Sequence, residues 1–313
     1  PGHSALRMHA VPEKTGAALM ATLLRAAAGV DLLCSATVVD ITREKVVFRR
    51  PDGTMEEVGY GALVLACSGF GGNRAMVAEH IPEMAGALYF GHAGNQGDAF
   101  RWGTELGGTP RHMGAYQGHG SVATPHGILI TWALMTEGGI QVNAHGERFS
   151  NEHLGYSEQC LPVLAQPGGH AWCIYDERLH RMALGFPDYR DAVAAGAVRP
   201  APALARLQET LSKVKDYAAG KRDPFGRDFT TKPPLEPPLY GVKVTGALFH
   251  TQGGLVVDEG ARVAPLRNVF AGGGAACGVS GGHVWGYLSG NGLLSAVVLG
   301  RIAGESAVTI GRP

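Results

Sequence analysis

The stretch "GALVLACSGFGGN", residues 61–73, joins an apolar run to a cluster of glycines. The run is apolar on both faces, which favours a central strand of a parallel sheet over an edge strand. Gly69, Gly71 and Gly72 follow at the carboxyl end of that strand, where open α/β sheets bind their ligands. The stretch therefore predicts an α/β fold with a ligand site at this end of the sheet.

The rest of the chain contains further helix and turn patterns. Apolar spacing predicts a helix over residues 15–29, ending at Gly29. The turn sequence at 51–53 predicts a hairpin between two short strands. A second helix is predicted over 203–219, with Gly220 as its stop, and a terminal helix after the turn at 289–292.

Composition divides the chain into three segments. Prolines and arginines become more frequent over 151–241, and strand-like, glycine-rich sequence returns after it. We therefore predict one α/β domain formed by residues 1–150 and 242–313, with an α+β cap lobe inserted at 151–241. The chain has 47 glycines, about twice the ordinary share of roughly 7%. They lie mostly at the ends of apolar runs, which favours a large cofactor.

Charge and cysteine usage exclude several classes of partner. Lys plus Arg and Asp plus Glu are equal at 27 each, so no net charge attracts nucleic acid or an anionic membrane. A small-molecule substrate is expected instead. No uninterrupted apolar stretch reaches the roughly 18 residues of a membrane span, which predicts a cytoplasmic protein. The five cysteines are scattered without C-x-x-C spacing, so no metal site is predicted.

Five blocks of sequence, in order, resemble those of the fumarate reductase and succinate dehydrogenase flavoprotein superfamily. They are residues 62–73, 94–108, 138–152, 237–258 and 268–307. The likeness is to its single-chain soluble branch, which includes flavocytochrome-type fumarate reductases, tricarballylate dehydrogenase and ketosteroid dehydrogenases. The resemblance implies a Rossmann-like flavin-binding domain with an inserted cap, FAD as cofactor, and oxidoreductase activity.

One expected motif does not occur in this sequence. The family begins with a strand, a G-x-G-x-x-G turn and a helix that binds the flavin pyrophosphate, and no such turn precedes a helix here. The sequence is therefore expected to be the carboxyl-terminal part of a longer enzyme, incomplete at the amino-terminal end of its flavin domain. Two alternatives stay open: it retains FAD, or it is an inactive fragment without the cofactor.

The resemblance implies a set of cofactor contacts. The turn "SGNG" corresponds to the turn that sets helix amides against the pyrimidine edge of the flavin. Gly274 stands where most members have a ribose-binding glutamate, and Asp98 is interpreted as a cofactor contact, a helix cap, or both. The corresponding residues are Ala66, Cys67, Gly69, Gly97, Asp98, Gly274, Ser289, Gly290, Asn291 and Gly292.

The resemblance also implies substrate-binding groups. "HTQGG" places His250, and "YQGHGSV" places His119, at positions of substrate-binding histidines in fumarate reductases. Glu152 corresponds to a proton-relay glutamate, with a hydrogen-bonding role between the lobes as the alternative. His180 stands at the position of the proton-donating arginine, and Tyr287 replaces a carboxylate-binding arginine.

These replacements bear on the substrate. Neither histidine nor tyrosine binds a carboxylate as a guanidinium does, so fumarate itself is not expected as substrate. Tyr287 with Ser289 suits the polarisation of a ketone. The expected reaction is hydride transfer to or from flavin N5, forming or reducing a C=C bond beside a carboxylate or ketone. His250 and His119 would hold the substrate, and Tyr287 or His180 would exchange the proton. A 3-ketosteroid-type dehydrogenase is the alternative.

Overall fold

The computed structural model describes residues 5, 9–13 and 15–310. Residues 1–4, 6–8, 14 and 311–313, which belong to the predicted α/β domain, lie outside the described residues. The α-helices of the described chain are α1 (Gly16–Ala26), α2 (Arg74–His80), α3 (Asp98–Glu105), α4 (Ala133–Thr136), α5 (Cys160–Leu164), α6 (Glu177–Ala183), α7 (Pro187–Ala194), α8 (Leu207–Ala218) and α9 (Asn291–Ile310).

The strands of the described chain are short apart from three. They are β1 (Thr37–Ile41), β2 (Lys45–Arg49), β3 (Met55–Gly59), β4 (Leu63–Leu65), β5 (Leu88–Tyr89), β6 (Pro110–Arg111), β7 (Tyr116–Ala123), β8 (Ile128–Leu129), β9 (Ile140–Val142), β10 (His170–Asp176), β11 (Arg199–Pro200), β12 (Leu239–Thr251), β13 (Gly254–Leu255) and β14 (Val269–Ala271).

The opening stretch forms the parallel strand that its composition predicts. β4 pairs in parallel with β14, from Leu63 opposite Val269 to Leu65 opposite Ala271. The two strands make a sheet of their own, so within the described chain β4 has a partner strand on one side and an open edge on the other. The parallel pairing is therefore confirmed, whereas the central position predicted for β4 does not occur among these residues.

A seven-stranded sheet forms the largest part of the structure. Its order is β8-β7-β12-β10-β9, with β11 and β5 also paired to β12. The pairs are antiparallel except for β5 with β12. Apolar side chains of β9, β10 and β12 form the main core with helices α4, α6, α7 and α8. This sheet and its helices are the α+β part of the mixed α/β fold.

The large sheet draws strands from all three predicted segments. β7 and β9 come from residues 1–150, β10 comes from 151–241, and β12 crosses position 241. β12 runs from the main core at Leu239 to the region of β4 and α9 at Thr251. The division of the chain at 150 and 241 stays a prediction, and the sheet is continuous across both positions.

Local patterns predict the turns better than the helix ends. β2 and β3 form the expected hairpin, with Gly53 at φ +88° in its turn. α8 ends two residues before Gly220, whose φ is +101°. α1 ends at Ala26 instead of Gly29, because Ala27 caps it through its N–H to the carbonyls of Leu23 and Arg25.

The sequence predicts no segment that could span a membrane, but helix α9 is a candidate for one. It has 20 residues and a mean hydropathy of 1.5, long and apolar enough to cross one by length and composition alone. Arg301 and Glu305 interrupt its apolar residues, so the sequence has no uninterrupted apolar stretch of that length, although the mean hydropathy of the helix is high. Ala303 packs against Phe270 of β14, so one side of α9 belongs to the protein interior.

Candidate active site

A cleft of about 450 Å³ lies where the carboxyl ends of β4, β12 and β14 meet the start of α9. Its walls are backbone of Gly274 and Gly290, apolar side chains including Leu293, and the polar side chains of His250 and Tyr287. The cleft therefore lies at the carboxyl end of β4, where residues 61–73 predict a ligand site.

Close backbone contacts form the floor of this cleft. A Cβ added to Gly274 would lie 2.7 Å from the amide nitrogen of Gly69, so the two strand ends meet without side chains between them. Gly97, at φ +85°, donates its N–H to the carbonyl of Gly69 at 3.1 Å. The predicted contacts Gly69, Gly97 and Gly274 are thus brought together.

The other contacts predicted near β4 lie apart from the cleft lining. Ala66 and Cys67 are exposed residues directly after β4. Asp98 is the first residue of α3, with its carboxylate 3.5 Å from Arg101, and Gly97 occupies the cap position. The interpretation of Asp98 as a side-chain cap is therefore wrong, because its carboxylate accepts no backbone N–H at the helix end.

The turn at 289–292 leads into α9 beside the cleft. Gly290 has φ +91°, and a Cβ there would meet nothing within 4 Å, so its backbone faces open space. Asn291 begins α9, and its side-chain Nδ2 donates a hydrogen bond of 2.9 Å to Ser280 Oγ. The amino end of a helix carries partial positive charge, so this turn suits the electron-rich edge of a flavin ring.

His250 faces the cleft from β12. Its Nδ1 lies 3.0 Å from the Gln252 amide nitrogen and 3.3 Å from the Thr251 carbonyl oxygen. A Cβ on Gly292 would lie 2.6 Å from its Nε2, so only glycine leaves room for the imidazole. Burial lowers the pKa of His250, which keeps the ring neutral at neutral pH.

Tyr287 lies next to His250. The two rings meet edge to face at 5.6 Å between centroids. Burial raises the pKa of Tyr287, and the neighbouring Tyr156 adds to this, while the backbone N–H groups of Gly290 and Gly292 act in the opposite direction. The hydroxyl therefore stays protonated at neutral pH and is available as a hydrogen-bond or proton donor.

His119 lies behind this site and does not line the cleft. Its ring stacks between Tyr156 at 4.9 Å and Phe249 at 5.1 Å, and its Nδ1 accepts the N–H of Ser121 at 3.1 Å. Burial lowers the pKa of His119 to about 3. The structure thus places the predicted substrate ligand among aromatic side chains, as a neutral ring.

This burial gives an expected pH dependence of stability. His119 takes up a proton below about pH 6.5 in the unfolded chain but only near pH 3 in the folded one. The unfolded state therefore binds more protons between these values, so lowering the pH reduces the free energy of unfolding by up to about 1.4 kcal/mol per pH unit. His119→Phe should give a shallower slope in urea denaturation between about pH 6 and pH 4.

Wild type and His119→Phe are compared by the slope of the free energy of unfolding against pH. Its absolute value is not used, because loss of the contact with Ser121 lowers stability at every pH. His145, which is exposed, supplies the control His145→Phe, expected to keep the wild-type slope. Equal slopes for wild type and His119→Phe would show that His119 is not held neutral by the fold.

Gln117 and Gln252 line the cleft although the sequence did not single them out. Gln117 lies directly opposite His250 in the pairing of β7 with β12. Its place follows from strand register, which is not visible in one sequence. Gln252 is part of the glycine-rich block that contains His250, and this was the one signal that could have indicated it.

The structure separates His180 from the cleft, contrary to the expectation that it exchanges a proton there. Its ring stacks on Tyr240 at 4.4 Å, and its Nδ1 is 2.7 Å from the Tyr189 hydroxyl. Tyr240 and His250 are ten residues apart on β12, a distance of roughly 33 Å along a strand. Tyr189 and Tyr240 instead make His180 part of an aromatic cluster.

Glu152 lies in a buried ion network and not in the cleft lining. Its Oε2 is 2.8 Å from Arg148 and 3.1 Å from Arg227, and its Oε1 accepts the Gln141 N–H. Arg148 also pairs with Asp223 at 2.6 Å. Burial alone would raise the pKa of Glu152, but the two guanidinium groups lower it.

The fold and the cleft define an α/β flavoprotein. The chain belongs to the FAD binding domain family, whose model matches residues 1–293. FAD is therefore its cofactor, and the glycine-lined cleft with the helix start beside it fits the flavin ring.

Similar proteins support the same superfamily. A probable fumarate reductase of Shewanella frigidimarina is 32% identical over 261 residues, which cover 80% of this chain and 44% of that protein. An NADH:fumarate oxidoreductase of Klebsiella pneumoniae is 26% identical over 304 residues, covering 89% of this chain and 32% of that one. The chain spans less than half the length of these two relatives.

Solved structures agree with the fold. The open conformation of a flavocytochrome c3 fumarate reductase matches with a TM-score of 0.76 and 28% identity, over 93% of this chain and 55% of that chain. A 3-ketosteroid-Δ4-(5α)-dehydrogenase of Rhodococcus jostii matches with a TM-score of 0.61 and 23% identity, over 87% and 58%. The predicted fold class and superfamily are confirmed.

Proposed function

We propose that this chain carries the active cleft of an FAD-dependent enzyme that forms or reduces a C=C bond next to a carbonyl group. The observation that supports this most is the meeting of His250 and Tyr287 at one cleft, beside the glycine backbone of Gly274 and Gly290. When bound, FAD supplies hydride transfer at its N5 atom.

The side chains of the cleft have separate roles in this proposal. His250 is neutral and holds the carbonyl oxygen of the substrate by hydrogen bonding. Tyr287 gives a proton to the carbon next to the carbonyl during reduction, and its oxygen takes one during dehydrogenation. The amides of Gly290 and Gly292 stabilise the tyrosine oxygen while it lacks its proton.

The charge of the cleft favours a ketone over a carboxylate. Among the described residues, the lining includes no charged side chain. A carboxylate buried there would lack an ionic partner, which is costly in a low-dielectric site. A neutral cyclic ketone or 3-ketosteroid meets no such penalty, so the ketosteroid-type alternative is preferred to a dicarboxylate substrate.

A second candidate is a fragment that does not retain FAD. α1 has no buried residue, and Leu293, Leu294 and Val297 of α9 are exposed. Exposed apolar patches of this kind are usually covered by another segment or partner. In this case the cleft is present but the cofactor is not held tightly enough to be purified with the protein.

Visible absorbance separates the two candidates. The purified chain, with FAD added and the excess removed, should be yellow if the cofactor is retained. Dithionite-reduced protein should then regain its colour when a cyclic enone or an unsaturated 3-ketosteroid is added without oxygen, and much less with fumarate. Faster reoxidation by fumarate than by enones would contradict the ketone preference, and colourless protein would support the fragment candidate.

A further inference from the structure

A second cavity of about 140 Å³ lies beside the active cleft. Among the described residues, Tyr287 is the one that lines both. The other walls of this cavity include Tyr156, Glu158, Ser289 and the exposed ring of Trp285. Tyr287 thus separates the cleft from a space that opens toward solvent.

Hydroxyl groups connect the two spaces. The hydroxyls of Tyr156 and Ser289 share a hydrogen bond of 2.9 Å. The rings of Tyr156 and Tyr287 meet edge to face at 6.1 Å between centroids, close enough for each hydroxyl to influence the pKa of the other. Each hydroxyl can donate one proton and accept another, so this group can pass a proton while every oxygen keeps a partner.

Glu158 lines the same cavity as these hydroxyl groups. It folds back over Gly155, whose φ is +142°, and a Cβ at that position would overlap the carboxyl oxygen. Burial raises the pKa of Glu158, and its charge in turn contributes to the raised pKa of Tyr156. The described lining holds no Lys, Arg or His, so its titratable groups are Glu158, Tyr156 and Tyr287.

We propose that this cavity is the proton entrance of the active cleft and that Glu158 is the group that reloads Tyr287 through Tyr156. The inference rests on the function proposed above. Among the described residues, the lining of the cleft includes no carboxyl group that could restore the proton of Tyr287, and Glu158 lines the neighbouring cavity.

The proton transfer balances at each oxygen. In reduction, the O–H bond of Tyr287 breaks as the substrate carbon gains its C–H bond. The Tyr287 oxygen takes the Tyr156 hydroxyl proton, and Tyr156 takes the proton of the Glu158 carboxyl through water in the cavity that both residues line. Solvent water then returns a proton to Glu158. No electrons move along this route, because the hydride comes from reduced flavin. In dehydrogenation the same groups carry the proton outward, and Ser289 holds the Tyr156 hydroxyl in position.

The first test needs no activity. Infrared spectra of the wild-type chain, with or without flavin, should contain the C=O band of a protonated carboxyl group. The band should persist at pH values above about 4.3, the ordinary pKa of glutamate. The band should be absent from Glu158→Gln and present in Glu79→Gln, a control at an exposed position of α2. If Glu158→Gln removes no such band, Glu158 is not a proton store and the inference is overturned.

The second test uses the chain with reduced flavin bound and an enone as substrate. With dithionite in excess, Glu158→Gln and Tyr156→Phe should slow repeated turnovers of enone reduction by about tenfold or more, with unchanged substrate affinity. The first turnover uses the proton already on Tyr287 and should be affected less. Glu158→Asp should keep part of the rate, and acetic acid should restore Glu158→Ala by entering the cavity. A wild-type rate in Glu158→Gln overturns the inference but leaves the redox function intact. Failure of every ketone and carboxylate to react with the wild type overturns the function instead, and the infrared result still decides the role of Glu158.

Discussion

Replacing Tyr287 by phenylalanine is expected to slow the reaction about 100-fold or more while leaving the flavin ring in place. The variant keeps the ring that meets His250 edge to face and removes only the hydroxyl. Because a proton donor acts in the transition state, kcat and kcat/KM should fall together. Stopped-flow reoxidation of the reduced flavin by an enone measures the effect directly.

Tyr217→Phe provides a matched control for this loss. Tyr217 is partly buried against Phe229 in the main core, away from the cleft, so its variant should keep the wild-type rate. A Tyr287→Phe protein that reduces the enone as fast as the wild type would remove Tyr287 from the proton step. A variant that has lost its flavin colour would instead indicate that the hydroxyl is needed for cofactor binding.

Glu152→Gln is expected to cost about 3–5 kcal/mol of folding stability. The carboxylate is fully buried, and the substitution leaves Arg227 without its acidic partner. A buried charge that loses its partner keeps the desolvation penalty and loses the attraction that offset it. Urea or thermal denaturation of the variant and the wild type measures the difference in the free energy of unfolding.

The same variant separates the two roles that the sequence left open for Glu152. The buried network predicts a large loss of stability and a nearly wild-type rate in the protein that remains folded. A hundredfold loss of rate without a loss of stability would instead support the proton relay. Glu209→Gln is the control, because Glu209 forms an exposed ion pair with Lys213. Its expected loss of folding stability is at most about 1 kcal/mol. If Glu152→Gln does not fold, Arg227→Met removes the same ion pair from its other side, and its loss of folding stability measures the contribution of the network.

The sequence indicated those parts of the structure that depend on local backbone chemistry. Gly69 and Gly274 mark strand ends where no side chain fits, and Gly290 needs a positive φ, so their residue types reveal their place. The site of His250 also depends on a glycine, because only Gly292 leaves room for the imidazole ring. These positions indicated an α/β fold with a large cofactor, and the resemblance of the blocks that contain them implied that the cofactor is FAD.

Positions that depend on strand register or on long-range packing were not visible. Gln117 and His119 are two residues apart on β7, a spacing that puts both side chains on one face of a regular strand. The pairing with β12 is irregular there, and the glutamine lines the cleft whereas the histidine stacks on Tyr156. His180 was placed by its position in a matched block, but the length of β12 separates it from His250. Glu152 finds Arg227 75 residues further along the chain, a pairing that no local pattern encodes.

The open side of β4 affects how the polypeptide behaves in solution. Among the described residues one edge of β4 has no neighbouring strand, and such an edge is a template for intermolecular pairing. Val64 of β4 and several apolar side chains of α9 are also exposed. Two copies can satisfy the amide and carbonyl groups of this edge by adding strand to strand. Preparations of these residues are therefore expected to self-associate with increasing concentration, and a peptide that pairs with β4 should keep them monomeric.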